Sequence, residues 1–159
     1  MDAGVRATDE CKSVFTDVSR RKLRYAVFKL SDDETQIIVE KKGERDTDYQ
    51  TFLDELPENE PRFTVYDFPV DEKPKTTNTK LVFIHWNPEK PGVNEDADED
   101  VQDQQRALSR KILRQKTICA SAKEPFKLVL KGIQKDLGSK TEKSDIDEET
   151  VRKTVGGKF

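Results

Sequence analysis

From Leu108 to Leu137, apolar side chains recur in steps of three and four residues or their sum: Leu108, Ile112, Cys119, Ala122, Phe126, Val129/Leu130, Ile133 and Leu137. A strand alternates every two residues, so this spacing commits the segment to a helix with one buried face. The opposite face carries Arg114, Lys116, Lys123, Lys127 and Lys131, with Glu124 to set against them. Pro125 has no N–H for the carbonyl of Ser121 and its ring crowds that carbonyl, which predicts a kink between residues 121 and 125. Ser121 and Glu124 have the spacing of a capping box, where a helix can restart. The expected object is a long kinked amphipathic helix, basic side outward. By itself, such a face is most simply a solvated surface.

An amphipathic helix needs a layer to lie on, and the preceding sequence reads as a sheet. Residues 24–30 (RYAVFKL) and 36–40 (QIIVE) are rich in β-branched and aromatic residues and flank a polar turn, which predicts a hairpin. Residues 62–68 (RFTVYDF), halted by Pro69, and 81–86 (LVFIHW) form a second pair. The last of these is nearly all apolar, as a strand covered on both faces should be. Thr8 or Asp9 can cap a first helix with the buried stripe Cys11, Val14, Phe15 and Val18, closed by the basic run 19–22. Tyr49, Phe52, Leu53 and Leu56 mark a second helix ended by Pro57, and residues 146–155 a short final one. The fold class expected is mixed α/β (α+β), a central mixed sheet of about five strands with helices on both faces. Residues 1–8, 41–46, 71–78 (with Pro74) and 139–145 read as a polar arm, loops and a linker, and 156–159 as a frayed end.

At 159 residues the chain is most simply one domain spanning 1–159. Its 38% charged residues exceed its 33% hydrophobic ones, so the core must be lean and the loops charged. A net charge of −3 gives no general attraction to nucleic acid or anionic membrane. No apolar run is long enough to span a bilayer, and MDAGVRATDE lacks the apolar stretch of a secretory signal. Cys11 and Cys119 lack metal spacing and read as free thiols of a reducing compartment. The single histidine, His85, lies in an apolar strand with no partner acid declared, so a structural role is expected. With no phosphate loop, nucleophile elbow or ligand cluster, the sequence offers no catalytic residue, metal or cofactor site. The positive reading is binding rather than catalysis.

ICASAKEPFKLVLKGI resembles the hallmark helix of the actin-depolymerising factor/cofilin family, whose pattern closes with Leu-x-Gly-Ile. GVRATDEC is similar to that family's N-terminal segment, RYAVFKL and IIVEKKGE to its first hairpin, and RFTVYDF and KLVFIHWNP to its later strands. The resemblance covers nearly the whole chain and implies a single actin-depolymerising-factor homology domain. The exception is an acidic insertion at about residues 89–109, where the family crosses to the long helix in a few residues. From 94 to 103 it offers almost nothing apolar, so it is either a mobile loop or a segment that turns helical near 101–108.

The resemblance implies a protein that binds monomeric and filamentous actin and promotes filament depolymerisation and severing, on the actin cytoskeleton of the cytoplasm with the nucleus left open, as a monomer. Its monomer-binding surface would comprise Gly4 and Val5 on the arm, Arg114, Lys116, Ile118, Ala120 and Ser121 on the long helix, and Lys123, Glu124 and Lys127 extending that face. Lys80 and Lys153 match basic positions of the filament surface. Several positions depart from the pattern. Thr117 and Cys119 stand where Met and Tyr are usual, Leu128 and Val129 where bases are frequent, and Asn78 and Gly156 where further bases are expected. Ala3 stands where the family often has a phosphorylated serine, so control by other means, such as phosphoinositides or competing actin binders, is expected. Two alternatives remain: a coactosin-like actin binder with weak severing, and a phosphoinositide-binding adaptor.

Overall fold

The two apolar hairpins form the centre of one sheet. The structure, a computed structural model, describes residues 4–73 and 75–156. Strands β1 (Arg6–Ala7), β2 (Leu23–Leu30), β3 (Gln36–Glu44), β4 (Arg62–Pro69), β5 (Thr79–Trp86) and β6 (Lys135–Lys140) lie in the order β1-β3-β2-β4-β5-β6. The four central strands pair antiparallel, and the two edge strands β1 and β6 pair parallel to their neighbours. Helices α1 (Asp9–Ser19), α2 (Tyr49–Asp54), α3 (Glu99–Val129) and α4 (Glu148–Gly156) complete the fold.

Alternation along the strands divides the core into two layers. Ala26, Phe28, Phe63, Val65, Leu81 and Phe83 face one side, where α1 contributes Val14 and Phe15 and α3 contributes Cys119, Ala122 and Phe126. Tyr25, Val27, Tyr66, Phe68, Val82, Ile84 and Trp86 face the other, with Tyr49 and Phe52 of α2 and Val151 and Val155 of α4. The expected mixed sheet with helices on both faces is therefore present, with six strands rather than about five.

The two strands that the sequence did not mark, β1 and β6, lie at edges, where backbone pairing rather than an apolar pattern defines them. Residues 135–140 bury no side chain fully, yet β6 runs beside β5, with Ser139 Oγ 2.8 Å from His85 Nδ1 and Asn87 donating to the Lys140 carbonyl. Ile133 and Leu137 thus leave the helical stripe. Leu130 lies just past the end of α3, and Gly132 turns the chain at φ 116°. At the opposite edge β1 follows Val5, which is buried, so the chain is anchored well inside the expected polar arm. Strand β3 continues to Glu44, through residues expected to be a loop, because Gly43 lets the Tyr25 ring lie against its backbone.

The long helix also departs from expectation. It runs unbroken for 31 residues with Pro125 inside it, and no capping-box bond joins Ser121 and Glu124 among the described residues. Ala122 and Phe126 are both buried on either side of the proline, and that burial offsets the lost hydrogen bond so close to the helix end. Of the segment read as an insertion at about 89–109, residues 99–109 are helical. Asp98 accepts from the Val101 N–H as its cap. Smaller differences occur at other ends. Thr8 is the N-cap residue of α1, but its hydroxyl lies against Cys11 Sγ and makes no side-chain cap bond. The basic run 19–22 lies mostly beyond α1, and Arg21 adopts φ 64° to reach the Thr77 carbonyl. The final helix begins at Glu148 after a 3₁₀ turn at Lys143–Ile146. Ala3, Pro74 and residues 157–159 lie outside the described residues.

Candidate docking surface

Helix α3 crosses the α1-bearing side of the sheet, held down by Ser109, Ile112, Cys119, Ala122 and Phe126. At 3.6 residues per turn the opposite meridian passes through Arg114, Thr117, Ser121 and Leu128, all exposed. Ala120 and Glu124 are exposed beside it, and Ile118 is half-buried against the core.

Of the cations expected to form one basic face, Arg114, Lys116 and Lys127 are instead fastened to the body at separate points, and Lys131 lies beyond the end of α3. Arg114 donates from Nε and Nη2 to the two carboxylate oxygens of Glu34, at 2.8 and 3.3 Å, in the turn between β2 and β3. That guanidinium holds the Glu34 carboxyl below its usual range. Lys116 Nζ donates to the Pro88 carbonyl at 2.7 Å. Lys127 bonds Glu124 on its own helix and Asp136 of β6, and its pKa is raised by the Asp136 hydrogen bond. Lys123 is half-buried near His85 and Asp136. These contacts restrict where each charge sits before any partner arrives.

The arm meets the helix at a groove of about 330 Å³ lined by Val5, Arg6, Ala7, Lys12, Ile37, Ala122, Pro125, Phe126 and Val129. Gly4 is exposed at φ 77°, a conformation that favours glycine. Val5 was expected to lie along a partner, but its side chain points into the core. Lys80 is half-buried in β5 opposite Phe68, whereas Lys153 is exposed on α4, 3.1 Å from Glu149. The structure does not gather these two bases into one pocket.

Beneath the helix, His85 is 1% exposed, with Phe63 at 5.0 Å and Nε2 unbonded. Burial, reinforced by Lys123 and Lys116, pushes its pKa down to about 4, so the ring is neutral. Both cysteines are buried and free, and burial pushes the Cys119 thiol up to about 12, which keeps it protonated. Among the described residues no group of three or more His, Cys, Asp or Glu could hold a metal ion, and no helix is long and apolar enough to cross a membrane.

Glu34 and Asp136 were absent from the expected site because pairs 80 and 9 residues apart leave no local pattern. Leu128 was legible only as an apolar residue at a position the resemblance makes basic. The structure leaves 76% of it exposed, the largest exposure among the large hydrophobic side chains described.

The family model for cofilin/tropomyosin-type actin-binding proteins matches residues 4–97, from the arm through β5 to just before α3. Cofilin from Schizosaccharomyces pombe is 32% identical over 154 residues, covering 96% of each chain. The crystal structure of Streptomyces griseoflavus cofilin superposes with a TM-score of 0.69 at 30% identity, covering 93% of this chain and 94% of that one. Human coactosin-like protein shares the fold alone, with a TM-score of 0.62 at 16% identity over 95% and 97% of the two chains.

Proposed function

The chain belongs to the cofilin/tropomyosin-type actin-binding family, and from that membership we propose that it binds actin monomers and filaments through α3 and the arm and promotes filament disassembly. The observation that carries this reading is the exposed meridian of α3. Small residues, Ala120 and Ser121, permit close approach of a partner backbone, and cations already positioned by Glu34, Pro88 and Asp136 flank them. Gly4 contributes exposed backbone at the start of the arm, Ile118 supports the helix from below, and Lys123, Glu124 and Lys127 extend the contact. Lys80 and Lys153 form the second, filament-specific contact. The protein works on the actin cytoskeleton in the cytoplasm and acts by binding, not by catalysis.

Co-sedimentation with filaments, followed by dilution-induced depolymerisation, tests the reading. Pelleting with filaments and faster disassembly are expected; a folded protein that binds neither filaments nor monomers overturns it.

One observation favours the second, coactosin-like reading, in which filaments are bound with little severing. A Cβ added at Gly156 would lie 2.8 Å from Val70 Cγ1, so the base that the resemblance places there would require the Val70 side chain to shift. Filament binding without accelerated disassembly would establish this reading. Anionic lipid vesicles provide the remaining comparison, since a phosphoinositide adaptor would pellet with them and not with actin.

A further inference from the structure

Tyr66 carries a hydroxyl that the fold leaves without a partner. Only 3% of the residue is exposed, and its ring is enclosed by Tyr25, Tyr49, Phe52 and Phe68. The hydroxyls of Tyr25 and Tyr49 bond Glu55 and the Ile146 carbonyl. Tyr66 Oη makes no hydrogen bond among the described residues, yet it keeps a solvent-accessible face. That face opens on a cavity of about 380 Å³ between the start of β2, the entry to α2 and the end of β4. Arg24, Asp48 and Glu148 line the cavity and act electrostatically on the hydroxyl.

These walls carry both signs of charge. Arg24 donates from Nε to the Arg45 carbonyl and from Nη1 to the Asp67 carbonyl, which leaves Nη2 unbonded. Burial, with the Arg45 guanidinium beside it, lowers the Arg24 pKa, so an anion at this point would relieve an unfavourable charge. Asp48 caps α2 through Oδ1, which accepts from the Thr51 N–H and hydroxyl, and its Oδ2 is unbonded. Tyr49 and Pro69 supply apolar wall. Glu148 and Lys153 lie five residues and hence about 140° apart around α4, so the cavity faces away from the filament contact proposed at Lys153.

We propose that this cavity binds a free α-amino acid with an apolar side chain. Its carboxylate meets Arg24 and accepts from the Tyr66 hydroxyl, its ammonium meets Asp48 and Glu148, and its side chain lies on Tyr49 and Pro69. A simple anion is repelled by the two carboxylates and a simple cation by the guanidinium, so the ligand must carry both charges. This inference does not depend on what α3 binds.

The test is amide chemical-shift mapping of the full chain titrated with L-leucine, with N-acetyl-L-leucine and L-leucinamide as single-charge controls. Shifts centred on residues 24, 47–50 and 66–68 are expected with leucine, and each control should bind roughly tenfold more weakly or worse. Tyr66→Phe removes only the unbonded hydroxyl, so it should weaken leucine binding about fivefold without lowering the urea midpoint. Asp48→Asn keeps a capping oxygen for Thr51 but not the charge, and should weaken binding about tenfold. Three outcomes overturn the proposal: no shifts at those residues, a control that binds as tightly as leucine, or wild-type leucine affinity in both folded variants. Filament co-sedimentation of Tyr66→Phe reads the actin proposal separately.

Discussion

Two residues carry predictions of their own. Leu128 lies outward on the exposed meridian of α3, 76% exposed. Leu128→Asp is expected to weaken monomer binding by roughly tenfold or more, as loss of an apolar interface anchor does, with stability changed by less than about 0.5 kcal/mol. Fluorescence titration against labelled actin monomers and a urea melt check the two halves; unchanged affinity removes Leu128 from the interface. His85 gives a pH dependence. Its folded pKa of about 4 lies below the ordinary 6.5, so between these values the unfolded chain takes up a proton that the folded one refuses. Above pH 6.5 both states are neutral and the group contributes no slope. As pH falls from 6.5 to 4, stability drops by a total of about 3 kcal/mol from this group. Denaturation at pH 7, 5.5 and 4.5 should show that slope in the wild type and lose it in His85→Gln.

Helix α3 shows how far an element can be read before its surroundings are known. The steps of three and four residues gave its existence and its buried stripe, since Ile112, Cys119, Ala122 and Phe126 all face the core. They gave its ends poorly. Leu108 matches the stripe but is 48% exposed, and Ile133 and Leu137 match it but lie beyond the helix. Periodicity records which residues could share a face, whereas the reach of the sheet beneath decides which are covered. The double variant Arg114→Ala/Lys116→Ala tests the element's function. Both side chains fasten to the body from its surface, so the fold should persist, while monomer affinity should fall by roughly 2–5 kcal/mol if the contacts are desolvated and less at a rim. Isothermal titration with actin monomers reads this, and wild-type affinity in a folded double variant would move the interface elsewhere.

At the scale of the molecule, the acidic segment 94–108 is an outgrowth rather than part of the core. Residues 94–98 turn back onto the helix, with the Asn94 N–H donating to Gln105 and Gln102 donating to the Glu95 and Ala97 carbonyls, and no residue from 94 to 108 is buried. Deleting residues 94–103 should therefore leave the melting midpoint nearly unchanged. Removing six carboxylates ahead of the docking face should speed association with an acidic partner at low salt, an effect that fades as the Debye length shrinks. Stopped-flow association at two ionic strengths measures it, and a deletion that unfolds the chain would show the outgrowth to be structural. By itself the sequence determined the four central strands, the helices on both faces and the buried stripe of the long helix, because alternation and helical period are local patterns. Only the tertiary structure decided the edge strands β1 and β6, the inward turn of Val5, and the pairing of Arg114 with Glu34 and of Lys127 with Asp136. Those depend on which distant segments the closed sheet brings within a hydrogen bond of one another, and no local spacing encodes that distance.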